Sequence, residues 1–225
     1  MDPSQLLTAF SVWVIPAILA VTLHEAAHGY AALVLGDDTA QRAGRISINP
    51  LRHIDLFGTI LMPALLLVSS GGRVMFGYAK PVPVDFARLN RPRRDMVLVA
   101  AAGPGANVAM AIIAGLLLHL ALASGGTFGD WFQQNCTNAM QFNVLLAVFN
   151  MIPIPPLDGG RVAVGLLPRT LAIGLARVER FGMLIVLAAL FLLPSLGVTV
   201  VQSVIGAVAD FLLGWIVTLT GHSYT

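Results

Sequence analysis

Residues 20–30 read Ala20-Val-Thr-Leu-His24-Glu25-Ala26-Ala27-His28-Gly29-Tyr30, inside an apolar run that extends from Leu6 to Leu35. A helix needs about 20 mostly apolar residues to cross a bilayer, and this run exceeds that. A charged side chain at the centre of such a span costs about 3 kcal/mol on insertion scales, so an acid and two imidazoles there need a reason. His24 and His28 stand at i, i+4, which projects both rings from one helical face about 6 Å apart. Two neutral imidazoles so spaced can share one Zn²⁺. Glu25, one residue round the helix, is suited to reach a water activated there without ligating the metal, and Ala26 and Ala27 leave room beside it. This is the H-E-x-x-H arrangement of zinc hydrolases. In a water-soluble helix rich in His and Glu the pentapeptide could be chance. Gathered within a membrane span, three rare polar side chains read as functional.

Composition puts the rest of the chain in the same solvent. Of 225 residues, 57% are hydrophobic and only 11% charged, and mean hydropathy is +0.83. Soluble domains carry about 25% charged residues, so this chain cannot coat a globule in water. Disorder, a coiled coil and a disulfide-stapled secreted domain are excluded together. The single cysteine, Cys136, can form no internal bridge. An isoelectric point near 9.1 does not signal nucleic acid when the net charge is only +2. In a membrane protein Lys and Arg report orientation first.

Four further stretches reach or approach spanning length: Met96–Ala123, Ala139–Pro153, Phe181–Leu196 and Val198–Leu219. A sixth, Leu56–Ser70, is 15 residues long, contains Pro63 and ends at Gly71-Gly72, which suits a re-entrant segment better than a span. If it is re-entrant, all 13 Lys and Arg residues fall on one side, and the positive-inside rule makes that side the cytoplasm. Gly44–Asn49 and Val74–Val84 are short, partly alternating and β-branched, and predict strands near that face. The expectation is an all-α polytopic protein of the cell (inner or plasma) membrane with 5–6 transmembrane segments and a small membrane-associated β-hairpin or sheet. It is expected to form one domain over residues 1–225, with a core at 6–165 and additional spans within 177–219. The N-terminus is expected outside and the C-terminus in the cytoplasm. No signal peptide is expected, because residues 1–6 carry no basic charge and the apolar run holds His24 and Glu25.

A catalytic zinc usually takes three protein ligands and one water. Asp158 stands out as the third in Asn150-Met-Ile-Pro-Ile-Pro-Pro-Leu-Asp158-Gly-Gly160, where Pro153, Pro155 and Pro156 end a span and two glycines follow. That places it on unwound backbone, tolerated at membrane depth only inside protein or beside a cavity. The alternative is an ordinary exposed turn aspartate. Depth supplies an independent check: with the N-terminus outside, His24, His28 and Asp158 all fall toward the cytoplasmic face.

These residues resemble the site-2 protease family of intramembrane zinc metalloproteases, in its small prokaryotic branch without PDZ or CBS domains. His24-Glu25-Ala-Ala-His28 is similar to that family's first motif, and Asn150–Gly160 to the Leu-Asp-Gly segment that supplies its third ligand. Gly77–Val84 resembles the family's membrane-associated β-hairpin, and Ala102-Gly-Pro-Gly-Ala-Asn107 the Gly-Pro-Asn segment opening the next span. The resemblance covers roughly residues 20–165. It implies one catalytic Zn²⁺ on His24, His28 and Asp158, with Glu25 as general base. It also implies peptide-bond hydrolysis in or beside the transmembrane segments of membrane-protein substrates.

An amide donor for the developing oxyanion is expected from Asn150, which matches a family asparagine, in preference to Asn143. Both also suit interhelical hydrogen bonding. The strand carrying Val74, Phe76, Tyr78 and Lys80 is the candidate edge for an unwound substrate, by strand addition, or else a structural hairpin. His119 reads as interfacial, His53 with Asp55 as a turn anchor, His222 as tail, and Arg88–Arg94 as a contact for lipid headgroups. Gly103 and Gly105 read as sites of close helix packing. A metal transporter or metal-binding scaffold on the same ligands is the rival. It would not need Glu25 as a base, and transporters usually show internal repeats, which this sequence lacks.

Overall fold

The computed structural model describes residues 3–53, 55, 58, 61, 65 and 79–223. Six longer helices carry the fold: α1 Pro3–Val34, α2 Pro92–Ser124, α3 Gly126–Asn150, α4 Asp158–Leu166, α5 Arg169–Leu187 and α6 Val200–Leu219. The α5 helix continues through a wide turn at Ala188–Leu192 into Leu193–Ser195. Four segments, Phe10–Val34, Pro92–Ser124, Arg169–Ser195 and Val200–Leu219, are long and apolar enough to cross a membrane. The chain is a helical membrane protein.

No strand occurs among the described residues, which corrects the expectation for 44–49 and for the end of the Val74–Val84 segment. Gly44 adopts φ +63, and local side-chain bonds then claim the backbone that a ladder would need. The Asn49 amide donates to Ser47 Oγ, and Asn49 Oδ1 accepts from the Leu51 amide. In 79–84, Pro81 and Pro83 have no N–H to give a neighbour. Val74, Phe76, Tyr78 and most of Leu56–Ser70 lie outside the described residues.

Between the apolar stretches Met96–Ala123 and Ala139–Pro153 the chain is helical again from Gly126 onward. Gly125 and Gly126, at φ +60 and +64, reverse the chain in a conformation glycine adopts at little cost, and α2 runs almost directly into α3. The apolar stretch Ala139–Pro153 is the second half of α3 and the irregular turn after it, and side chains of the first half bond to α1 inside the bundle. Trp131 Nε1 donates to Ser11 Oγ at 2.9 Å and Asn138 Nδ2 to the Val12 carbonyl at 2.8 Å. Helices α1 and α3 run antiparallel to α2, and Ala111, Ala114, Met140, Val144 and Ile216 form a buried core between α2, α3 and α6.

The direction of α6 differs from the expected alternation of spans. Ile216 packs with Ala111 and Ala114, Thr220 lies against Gly115, and His119 Nε2 meets the Thr220 carbonyl at 2.7 Å. Numbers rise together on both helices, so α6 is parallel to α2 and its final turn shares an end with the start of α1. Val200 lies about 24 Å back, level with the first turns of α2. Helix α5 supplies the reason. Its start lines a groove with Pro92, Arg93 and Met96, Gly182 lies against the Pro155 carbonyl, and the Ala189 carbonyl accepts from Gln202 Nε2. All of these points lie at one end of the bundle. Helix α5 lies across that end instead of traversing the bundle, and Arg169, Arg177 and Arg180 along it favour an interface over hydrocarbon.

Beyond α1 the chain is tied by Asp37, which is closed off from solvent. Its carboxylate accepts from the Thr39 amide at 3.0 Å, the Thr39 hydroxyl and the Asp85 amide at 2.7 Å. Arg88, expected at lipid headgroups, instead pairs with Asp38 at 2.8 Å, and Arg93 donates to the Gly165 and Leu167 carbonyls at the end of α4. Burial pushes the Asp37 carboxyl up, but the bonds from Thr39 and Asp85 and the Arg88 charge outweigh it and hold it below its ordinary 3.8. Its contribution to stability is therefore complete above that ordinary value and is lost as pH falls through the lower folded one. Thermal melts in detergent should show Asp37→Asn less stable near pH 7 by about 1–3 kcal/mol. The gap to wild type should narrow near pH 3.

Candidate metal centre

His24 and His28 occupy the face of α1 turned toward α2, and both are buried. What lets them sit there is Gly103 of α2: a Cβ at that position would collide with His28 Nε2 and come within 2.6 Å of His24 Cε1. Gly105, expected to play the same packing role, has nothing within 4 Å of its Cβ position.

Asp158 arrives from the far end of α3. Residues 151–157 are irregular as expected, but Asp158 itself is the first residue of α4. Gly159 and Gly160 let that first turn press against the Met151 carbonyl and the Pro155 backbone, where any Cβ would clash. Three helices thereby converge on one point. His24 Nε2 and His28 Nε2 are 3.1 Å apart, and Asp158 Oδ2 lies 3.2 and 3.3 Å from them.

The outer nitrogens of the two rings fix what these inner atoms are. His28 Nδ1 lies 2.7 Å from the Val99 carbonyl, which can only accept, so His28 carries its proton on Nδ1. His24 Nδ1 lies 2.5 Å from Asn107 Oδ1. Asn107 Nδ2 is spent on the Ala20 carbonyl at 3.2 Å and on Asn143 Oδ1 at 2.8 Å, while Asn143 Nδ2 donates to the Ala139 carbonyl. Carbonyls at both ends set the direction of the chain, so Asn107 Oδ1 accepts and His24 is also Nδ1-protonated. In the neutral rings, the form a metal requires, both Nε2 atoms then present lone pairs to each other and to a carboxylate oxygen. Asp158 Oδ2 is buried and has no hydrogen-bond donor. In that form three acceptor atoms repel at 3.1–3.3 Å, and a cation between them relieves the repulsion. Ligands about 2.0–2.1 Å from a tetrahedral zinc stand ~3.3 Å from one another. The donor set fits zinc, and among the described residues no other group of three His, Cys, Asp or Glu converges in this way.

Glu25 lies on the next position of the helix, half-buried, with Oε2 accepting from the Val82 amide at 2.8 Å. The segment that delivers this amide is pinned on both sides of it. The Lys80 amide donates to the His53 carbonyl, Arg45 donates to the Lys80 carbonyl, and the Asp85 amide reaches Asp37.

Of the two asparagines expected to aid an oxyanion, Asn143 contacts Asn107 and no metal-facing atom, and the Asn150 amide turns back to the Leu146 carbonyl of its own helix. His53 donates to the Ser47 carbonyl, consistent with a turn anchor. His119 and His222 stack on each other at 4.1 Å, so His222 is packed and not a loose tail. Asn107 stands out in the sequence only as the end of the Gly-Pro-Asn segment, and its contact with His24 was the role not foreseen. It is 0% exposed, and an amide in the middle of the apolar run 96–123 was the available signal.

Sequence comparison meets this geometry from outside. The chain is 38% identical over 204 residues to the Bacillus subtilis (strain 168) protein named "Putative zinc metalloprotease YwhC", covering 89% of this chain and 88% of that one. The family model described as peptidase family M50 matches residues 131–193. The chain belongs to peptidase family M50. Two mycobacterial proteins also carry zinc metalloprotease names, Rip2 of Mycolicibacterium smegmatis and Rip2 of Mycobacterium tuberculosis (strain H37Rv). They are 29% identical over 180 residues and 30% over 187, in each case across 80% of this chain and 66% of theirs. No solved structure matches. The M50 match falls on most of α3, the irregular turn, α4 and all of α5, the part of the fold that brings Asp158 to the histidines.

Gly103→Ala should drive the two rings apart and lower zinc affinity by at least 100-fold, read by metal content after dialysis against a chelator buffer. Gly105→Ala, with open space at its Cβ, should bind zinc like wild type.

Proposed function

We propose that this M50 peptidase is an intramembrane zinc metalloendopeptidase that hydrolyses peptide bonds in or beside the transmembrane segments of membrane proteins. One zinc is held by His24, His28 and Asp158, and Glu25 is the general base. The observation that carries this reading is the convergence of three acceptor-only atoms at 3.1–3.3 Å, with a carboxylate on the adjoining residue of the same helix. A metal carrier needs the first part and has no use for the second.

When bound by these residues, zinc would polarise a carbonyl and lower the pKa of a water toward about 7. The protein does the rest. His24 and His28, held through their Nδ1 protons, keep their Nε2 lone pairs turned inward. Glu25 takes the proton of the attacking water and returns it to the departing amine, so that the carboxylate ends the cycle as it began. Val82 occupies Oε2 and leaves Oε1 for that exchange. The buried walls formed by Val99, Gly103 and Asn107 keep bulk water from the back of the centre.

A transmembrane substrate arrives as a helix whose carbonyls are already bonded, so it must open before it can be cut. The pinned segment Lys80–Asp85 passes Glu25 in irregular form, and it is the surface on which an opened chain would lie. Of the strand residues expected to meet substrate, Lys80 lies in this segment, and Val74, Phe76 and Tyr78 lie outside the described residues.

The end of the bundle that holds the centre is the cytoplasmic end, because the Lys and Arg residues of the described segments lie there. The parallel course of α2 and α6 supports a reading in which the start of α1 and the end of α6 both face the opposite side.

Two outcomes are expected. In liposomes, purified wild type should cleave single-span model substrates in a chelator-sensitive way, while Glu25→Gln should keep one zinc and lose at least 10³-fold in rate. A Glu25→Gln protein that still cuts would sink the assignment of the base. In right-side-out cells, a single cysteine placed at Ser223 in a Cys136→Ser background should react with a membrane-impermeant maleimide, and one placed at Ala176 should not.

A further inference from the structure

We infer that Asn107 is a positioning residue for the zinc centre: held by Asn143, it locks His24 in the orientation and protonation that turn Nε2 toward the ion. The inference rests on the zinc reading above and adds a determinant that touches neither zinc nor substrate.

The two histidines are held in different ways. His28 leans on a backbone carbonyl, that of Val99, which no side-chain substitution removes. His24 leans on a side chain, and an amide side chain has two faces. Turned the other way, Asn107 would present its NH₂ to the His24 Nδ1 proton, donor against donor, and the ring would have to rotate or shift its proton to Nε2. Either change withdraws a lone pair from the centre. What prevents the flip is a relay across three helices. The Ala20 carbonyl of α1 and Asn143 Oδ1 of α3 both accept from Asn107 Nδ2, and Asn143 cannot reverse without abandoning the Ala139 carbonyl. Asn107 and Asn143 are both buried, at 0% and 3% exposure, so no water can stand in for a lost partner. Substitution of groups that orient metal-bound histidines typically lowers metal affinity 10–100-fold.

Asn138 provides the control. It is a buried asparagine on the same helix as Asn143, bonded to the Val12 carbonyl of α1, and it contacts no ligand. Its removal loosens the same helix packing without touching His24.

The test uses the full chain in detergent micelles, with Zn²⁺ as the probe against a chromogenic chelator and with melting of the metal-free protein measured in parallel. Asn107→Ala should bind zinc 10–100-fold more weakly. Asn107→Asp keeps an acceptor toward His24 and, as the neutral acid that burial favours, an O–H donor toward Asn143 Oδ1. It should restore affinity to within about threefold of wild type. Asn143→Leu should weaken zinc in the same direction as Asn107→Ala, although it touches no ligand. Asn138→Ala should lower the metal-free melting temperature and leave zinc affinity unchanged. The inference fails if Asn107→Ala binds zinc like wild type. It fails equally if Asn138→Ala weakens zinc as much as Asn107→Ala, because packing alone would then account for the effect. A wild-type chain that takes up no zinc overturns the reading of the centre itself, and is told apart by its own titration.

Discussion

Everything in this fold is arranged around two imidazole protons that point outward. Because His28 gives its Nδ1 proton to the Val99 carbonyl and His24 gives its own to Asn107, both rings are forced to aim unprotonated nitrogens at Asp158. Such an arrangement favours a cation between the three atoms, and it sets demands on the neighbouring elements. Helix α2 must supply both acceptors, so it must run antiparallel to α1 at close range, which only Gly103 permits. Helix α3 must end early enough for the chain to turn back, and two glycines allow α4 to begin under that turn. In this M50 peptidase the metal site is a constraint on three helices at once.

That His24, His28 and Asp158 belong together was legible from the sequence because the signals are local. An i, i+4 histidine pair with an acid between is costly in hydrocarbon, and a shared metal is what offsets that cost. An aspartate after three prolines and before two glycines marks a break in a span. The partners of those ligands were not legible, because Asn107, Asn143 and Asn150 look alike in sequence. Which of them reaches a histidine depends on helix rotation, and the structure gives that place to Asn107 while Asn150 bonds its own helix.

The extent of α3 was hidden for a related reason. Hydropathy counts Gln133, Asn135 and Asn138 as polar and so predicts a loop. Within the bundle Asn138 meets an acceptor on α1, and the segment is helical. The course of α5 was hidden because length and apolarity say that a helix can cross a membrane but not that it does. Its contacts with Met96, Pro155 and Gln202 decide that, and they are long-range. The strands expected from β-branched residues failed where prolines and a left-handed glycine removed the ladder.

The glycine pair at 125–126 has a consequence for how the molecule is made. With no loop between them, α2 and α3 leave the ribosome as one helical hairpin. Its second arm is too rich in amides to partition into lipid alone. That arm can settle only when α1 is already present to receive Trp131 and Asn138 and when α2 offers Asn107 to Asn143. Since Asp158 follows directly behind it, the third ligand reaches the two histidines only after this docking is complete. Capture of the metal would then mark the end of assembly, and a half-inserted chain would carry no active protease into the membrane.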